Sequence, residues 1–183
     1  MKLLFKITLM ALSMITPNIS LADTKIEPQL EVVSELNIDK YLGKWYEIAR
    51  IPNSFERNCV GVTAEYSMKS ENTINVVNTC YKETLDGKKK SAKGVAKIVG
   101  TGKLKVSFVP IPILSNLTSG DYWVIYVDKD YSLAIVGEPK RKYGWILSRT
   151  PSINEQKKNK AIGILEKNGY TYSKFETVLQ NIN

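Results

Sequence analysis

From residue 43 onward the chain alternates apolar and polar positions in short runs, and a turn signal follows nearly every run. The clearest run places Val60, Val62, Ala64, Tyr66 and Met68 on one side and Gly61, Thr63, Glu65 and Ser67 on the other. A period of two with a single apolar face predicts a half-buried strand. Comparable runs lie at 43–50, 73–81, 92–99, 103–108, 121–127, 131–137 and 143–149. Glu71-Asn72, Asp86-Gly87, Gly100-Thr101-Gly102, Asp128-Lys129-Asp130 and Pro139 punctuate them. The pattern predicts an all-β protein, an eight-stranded antiparallel up-and-down β-barrel.

Two helical segments flank the strands. Asn37 to Leu42 reads as a short turn closing the base of the barrel. Ser152-Ile153-Asn154-Glu155 reads as a capping box with Ser152 at the N-cap, opening a helix over about 152–168 that Gly169 ends. Ala161, Ile162 and Leu165 are expected to form its apolar stripe, packed on the outside of the barrel. Residues 175–179 add a short final strand. No repeat or second domain is visible: residues 23–36 form an arm and 37–183 one barrel domain.

The direction of travel assigns the two ends. With the first strand starting at the base, Gly43, Trp45, the turn containing Asp130, and Arg149 all fall at that closed end. Trp45 is large enough to plug a closed sheet. The Arg149 guanidinium can lie over its indole and donate to backbone carbonyls. The longest loop, 110–119, falls at the mouth. Pro110 and Pro112 keep it out of the sheet, and Ile111, Ile113, Leu114 and Leu117 make it apolar. It reads as a lip that guides lipid or touches a membrane, as a flap folded over the barrel, or as a homodimer contact.

Composition narrows the setting. The first 22 residues carry Lys2 and Lys6, an apolar run from Leu9 to Ile15, and Ser20-Leu21-Ala22. These are the parts of a secretory signal peptide cleaved after Ala22. Its removal takes two lysines from a formal charge of +8. The remaining surplus is scattered except at Lys88-Lys89-Lys90 and Lys140-Arg141-Lys142, which are solvated loops or contacts for anionic head groups. No basic face interleaved with exposed aromatics points to nucleic acid. The only cysteines, Cys59 and Cys80, sit where the second and third strands come within reach of one another. In an exported chain they read as one disulfide, with two buried thiols as the alternative.

The chain has no histidine, which removes the commonest general base and transition-metal ligand. It carries no G-x-S-x-G, Walker or dinucleotide fingerprint. No catalytic, metal or cofactor residues are assigned, and an enzyme is not expected.

Three stretches carry a family resemblance: Gly43-Lys44-Trp45-Tyr46-Glu47-Ile48-Ala49-Arg50; Tyr122-Trp123-Val124-Ile125 with Asp130-Tyr131-Ser132-Leu133-Ala134; and Trp145-Ile146-Leu147-Ser148-Arg149-Thr150-Pro151. The chain resembles a lipocalin, most closely the bacterial, apolipoprotein-D-like lipocalins, over roughly 37–179. The resemblance implies a barrel that binds a fatty acid, lysophospholipid or similar amphiphile in lipid handling at the outer membrane. Such relatives often carry a lipidated cysteine at the mature N-terminus, which is missing here. A soluble periplasmic or secreted protein with transient membrane contact is therefore implied.

An eight-stranded barrel is just wide enough for one small ligand. The lining expected from the alternation is Val62, Ala64, Tyr66, Val76, Asn78, Ala96, Phe108, Trp123 and Trp145. Asn78 needs a partner, either the ligand or a water. A barrel filled by its own side chains, with loops that bind another protein, is the competing reading, and a lipid-modifying enzyme is the third.

Overall fold

The computed structural model describes residues 29–109 and 118–181. The loop residues Ile111, Ile113, Leu114 and Leu117 and the leader lie outside the described residues. A four-residue helix α1 (Ile38–Tyr41) precedes eight strands: β1 (Gly43–Arg50), β2 (Cys59–Ser70), β3 (Thr73–Lys82), β4 (Lys89–Gly100), β5 (Lys103–Ser107), β6 (Gly120–Val127), β7 (Leu133–Gly137) and β8 (Gly144–Ser148). Helix α2 (Glu155–Lys167), one 3-10 turn (Tyr172–Lys174) and a two-residue β9 (Glu176–Thr177) follow. Sequential strands pair antiparallel, and β1 pairs with both β8 and β2, closing the barrel.

Register follows the hydrophobic pattern. Ile74 lies opposite Met68 and Ala96, while Val76 lies opposite Tyr66 and Gly94, so one apolar side of each strand turns inward together. Two bulges then change which side faces in. In β1 the register slips between Glu47 and Ala49. Arg50 thereby falls on the same side as Glu47, and Ala49 joins the cluster that faces α2. In β6 the slip falls between Val124 and Tyr126. Val124 and Val127 pack inside, whereas Trp123, Ile125 and Tyr126 pack outside.

α2 begins with Asn154 as its N-cap, the side chain accepting from the Lys157 amide at 2.9 Å. The expected cap, Ser152, is displaced by two residues. Asparagine caps at least as well as serine, and Ser152 instead accepts from the Thr150 hydroxyl through its carbonyl. Ala161 and Leu165 are fully buried against Ile125, Leu133, Ile135 and Ile146. Ile164, rather than the expected Ile162, completes the stripe, since it lies three residues from Ala161 on the same helix face. Ion pairing of Lys160 with Asp128 at 2.9 Å adds a polar tie between helix and barrel.

The barrel is not closed by strand pairing along its full height. β1 meets β2 only over Gly43–Tyr46, at the base. Towards the mouth the two strands part, and the segment after the 3-10 turn wedges between them. The Val178 amide donates to the Ile48 carbonyl, and the Gly61 amide donates to the Leu179 carbonyl. The Gln180 side-chain amide Nε2 donates to both the Glu47 and Val62 carbonyls, at 2.7 and 2.9 Å. Beside this wedge the Cys59–Cys80 disulfide, with Cα atoms 5.5 Å apart, packs with Val62 and Val178.

Candidate functional site

The floor is built from the base upwards. Gly43 has φ +89°, a conformation open to glycine, and a Cβ there would lie 3.4 Å from Arg149 Nη1. The Arg149 guanidinium sits 3.9 Å from the centroid of the Trp45 ring. It donates to the carbonyls of Lys40, Leu42 and Lys44, each at 2.7 Å, and to that of Tyr131 at 3.3 Å. Trp45 is fully buried, and its indole N–H donates to the Tyr41 carbonyl. Asp130 accepts from the Ser132 amide and hydroxyl, which hold its carboxyl below the ordinary range. A cleft of about 420 Å³ bounded by Lys40, Lys129, Asp130, Tyr131, Ser132 and Arg149 lies at this closed end, beneath the floor.

Above Trp45 three phenols meet. The Tyr122 hydroxyl is 2.8 Å from that of Tyr41 and 2.9 Å from that of Tyr66. Burial pushes all three phenols up, so they stay neutral and satisfy one another. Tyr66, Val76, Ala96, Ile74, Leu104 and Val124 pack around them as a solid lower core.

The next tier is different. Ala64, Asn78 and Ala92 are directly paired across β2, β3 and β4 and project inward, yet Ala92 is exposed and the other two are only partly buried. Val106 and Trp145, also packed on the inner cluster, are likewise reached by solvent. Asn78 Oδ1 is buried and accepts no hydrogen bond among the described residues. The Phe108 ring covers Gly94, where a Cβ would lie 2.7 Å from Phe108 Cδ1, and the ring remains 43% exposed at the rim. Among the described residues the lumen is therefore packed below, and its upper side chains are reached by solvent.

A charged cluster borders the open tier. Arg50 donates to Glu47 at 2.8 Å and to Glu176 at 2.8 Å. Glu56, from the β1–β2 loop, accepts from the Asn53 side chain and, at 3.3 Å, from the Trp145 indole. Burial pushes the Glu47 carboxyl well above the ordinary range, and Glu56 beside it pushes further, against the pull of Arg50.

The expected lining residues thus divide. Ala64, Asn78, Phe108 and Trp145 border the open tier. Tyr66, Val76 and Ala96 belong to the packed core below it, because the tyrosine hydroxyls meet on the axis and leave no room. Val62 packs with the disulfide and Val178, since the β2 register shifts between Val60 and Thr63. Trp123 faces outward with Lys103 over its ring at 4.2 Å, and its neighbour Tyr122 takes the inward position. Tyr122, Glu47 and Glu56 were not among the expected lining residues. Strand β6 is apolar on both faces, so no alternation marks Tyr122, and nothing local marks Glu56.

The barrel is closed at one end by an arginine-capped indole, and the chain belongs to the lipocalin family. The family model described as a lipocalin-like domain matches residues 36–180. The chain is 37% identical over 159 residues to Temperature-induced lipocalin-1 of Arabidopsis thaliana, with 84% of each chain covered. It is 39% identical over 152 residues to Outer membrane lipoprotein Blc of Escherichia coli strain K12, covering 81% of this chain and 82% of the relative. Apolipoprotein D of Mus musculus is 32% identical over 164 residues, covering 84% and 82%. Among solved structures, insecticyanin of Manduca sexta matches with a TM-score of 0.63 at 20% identity over 84% of this chain and 86% of that one. At such identity the likeness concerns the fold.

Proposed function

We propose that the protein binds and carries, or stores, one amphiphile in the upper half of the barrel, with its tail on the apolar inner wall and its head group towards the mouth. A fatty acid or lysophospholipid is the class expected, and cell-envelope lipid maintenance after export is the setting. The observation that supports this most is the tier of inward side chains, Ala64, Asn78, Ala92, Val106 and Trp145, that solvent still reaches inside a closed barrel. β2 (Cys59–Ser70) runs seven residues above Tyr66, or roughly 23 Å of strand. Strand tilt near 40° shortens this to a height of about 18 Å. Each methylene moved into that space is worth ~0.8 kcal/mol. The orphan Asn78 oxygen offers an acceptor to a donor on the ligand.

The test is a tryptophan-fluorescence titration with dodecanoate and a dodecanoyl lysophospholipid, alongside organic extraction and mass spectrometry of the purified protein. Saturable 1:1 quenching that disappears in Trp145→Phe supports the carrier, since Trp45 is sealed in the floor and Trp123 lies outside. Absence of any saturable signal, with no extractable lipid, favours a filled barrel that works through its loops.

A further inference from the structure

α2 covers one side of the barrel, over β6, β7 and β8, and the opposite wall of β3, β4 and β5 carries no covering element among the described residues. That wall has a regular charge pattern. Lys89, Lys93 and Lys97 stand four residues apart on one strand, so all three project outward and all are exposed. Lys97 lies directly opposite Lys105, and Lys103 follows on the same face of β5. Like charges directly opposite one another are destabilising, so this pairing costs the free barrel stability.

Little offsets the charge. The β3 residues opposite the row, Tyr81, Val77 and Thr73, are neutral. Asp121 on β6 pairs with Lys105 at 2.8 Å and is the acidic side chain that the register brings against these lysines. Glu65 lies a further strand away and is matched to Lys44 in the β1–β2 register. Between the lysines sit Val95 and Val99, the latter 51% exposed, and Lys103 rests on the Trp123 ring.

We propose that the outer wall of β4 and β5 docks the barrel on its side against an anionic lipid surface, through Lys89, Lys93, Lys97, Lys103 and Lys105. Three features favour a lipid surface over other polyanions. The row spans roughly 26 Å at about 3.3 Å per residue, suiting a planar array of head groups rather than a groove. The charges are lysines, compact point charges without the guanidinium fork that reads phosphates two oxygens at a time. Apolar and indole groups lie among them, the mixture that suits a membrane interface. This docking face is separate from the lumen and does not depend on what the lumen holds.

Co-sedimentation with vesicles tests it. Wild-type protein is expected to bind vesicles containing 30 mol% phosphatidylglycerol in phosphatidylcholine, to be released by 0.5 M salt, and to ignore pure phosphatidylcholine. A lysine near an anionic surface contributes about fivefold in partitioning, so Lys93→Gln with Lys97→Gln should weaken binding by roughly 25-fold. Lys158→Gln with Lys174→Gln, on the helix side, removes the same charge and should change it far less. Circular dichroism confirms that each pair folds. Equal loss in both pairs, no binding to anionic vesicles, or tighter binding to duplex DNA than to vesicles would overturn the proposal. Unaltered quenching by dodecanoate in the β4 pair keeps the docking result separate from the lumen reading.

Discussion

Replacing Arg149 should loosen the floor by an amount that depends on the shape of the new side chain more than its charge. The guanidinium makes three 2.7 Å hydrogen bonds and one at 3.3 Å, and covers the Trp45 ring. Cation–π contact at a half-exposed site is worth about 1 kcal/mol. Hydrogen bonds from a charged donor contribute about 1.5–3 kcal/mol each when buried, but Lys40 and Lys44 lie at the surface, where water can replace the donor. We therefore assign the whole set about 3 kcal/mol. Arg149→Ala should lower Tm by about 6–12 °C, given ~2–4 °C per kcal/mol for a domain of this size. Arg149→Lys keeps the charge but reaches one or two of the four carbonyls, so about half the loss should remain. Thermal unfolding followed by near-UV circular dichroism reads Trp45 directly. A lysine variant indistinguishable from wild type would refute the argument, because the fork geometry would then contribute nothing.

Other consequences are narrower. Glu47 has a folded pKa raised by burial and by Glu56, so its contribution to stability is complete below the unfolded value and is lost as pH rises through the folded value. Glu47→Gln should therefore flatten the fall in stability on the alkaline side, and a urea series from pH 4.5 to 9 with parallel curves for both proteins would disprove this. A Cβ at Gly137 would lie 2.2 Å from the Tyr170 hydroxyl, which accepts from the Glu138 amide and sits 2.9 Å from the Tyr143 carbonyl. Gly137→Ala should cost about 1–3 kcal/mol through overpacking, measured by urea denaturation. Gln180→Ala removes both bridges across the parted β1 and β2, leaving the buried Glu47 and Val62 carbonyls without that donor. It should cost about 1–3 kcal/mol and speed hydrogen exchange at Gly61 and Val178; unchanged exchange there would contradict the wedge.

The barrel was legible because alternation through most of β2 to β5 marks one apolar side on each strand, and two cysteines brought near one another by that pairing in an exported chain read as one disulfide. Arg149 over Trp45 was legible too, since strand direction alone puts both at one end. The errors cluster where parity breaks. A register shift in β2 between Val60 and Thr63 turns Val62 towards the disulfide, and strand β6, apolar on both sides, gave no periodic signal to separate Tyr122 from Trp123. The depth of the lumen was illegible for another reason: three tyrosine hydroxyls meeting on the axis is a property of closure, not of any one strand. Likewise Glu56 joins Trp145 across 89 positions of sequence, and Gln180 joins Glu47 across 133. No local pattern encodes such meetings.

Calorimetric titration of dodecanoate and a dodecanoyl lysophospholipid into wild type and Ala92→Trp tests the open upper lumen most directly. Ala92 points inward from an exposed position, so an indole there occupies ligand space without disturbing the packed core. Excluding even two methylenes costs ~1.6 kcal/mol, more than a tenfold loss of affinity. The account predicts one saturable site in wild type, weakened at least tenfold in Ala92→Trp with Tm unchanged. Equal affinity in the two proteins would place the ligand elsewhere and contradict it.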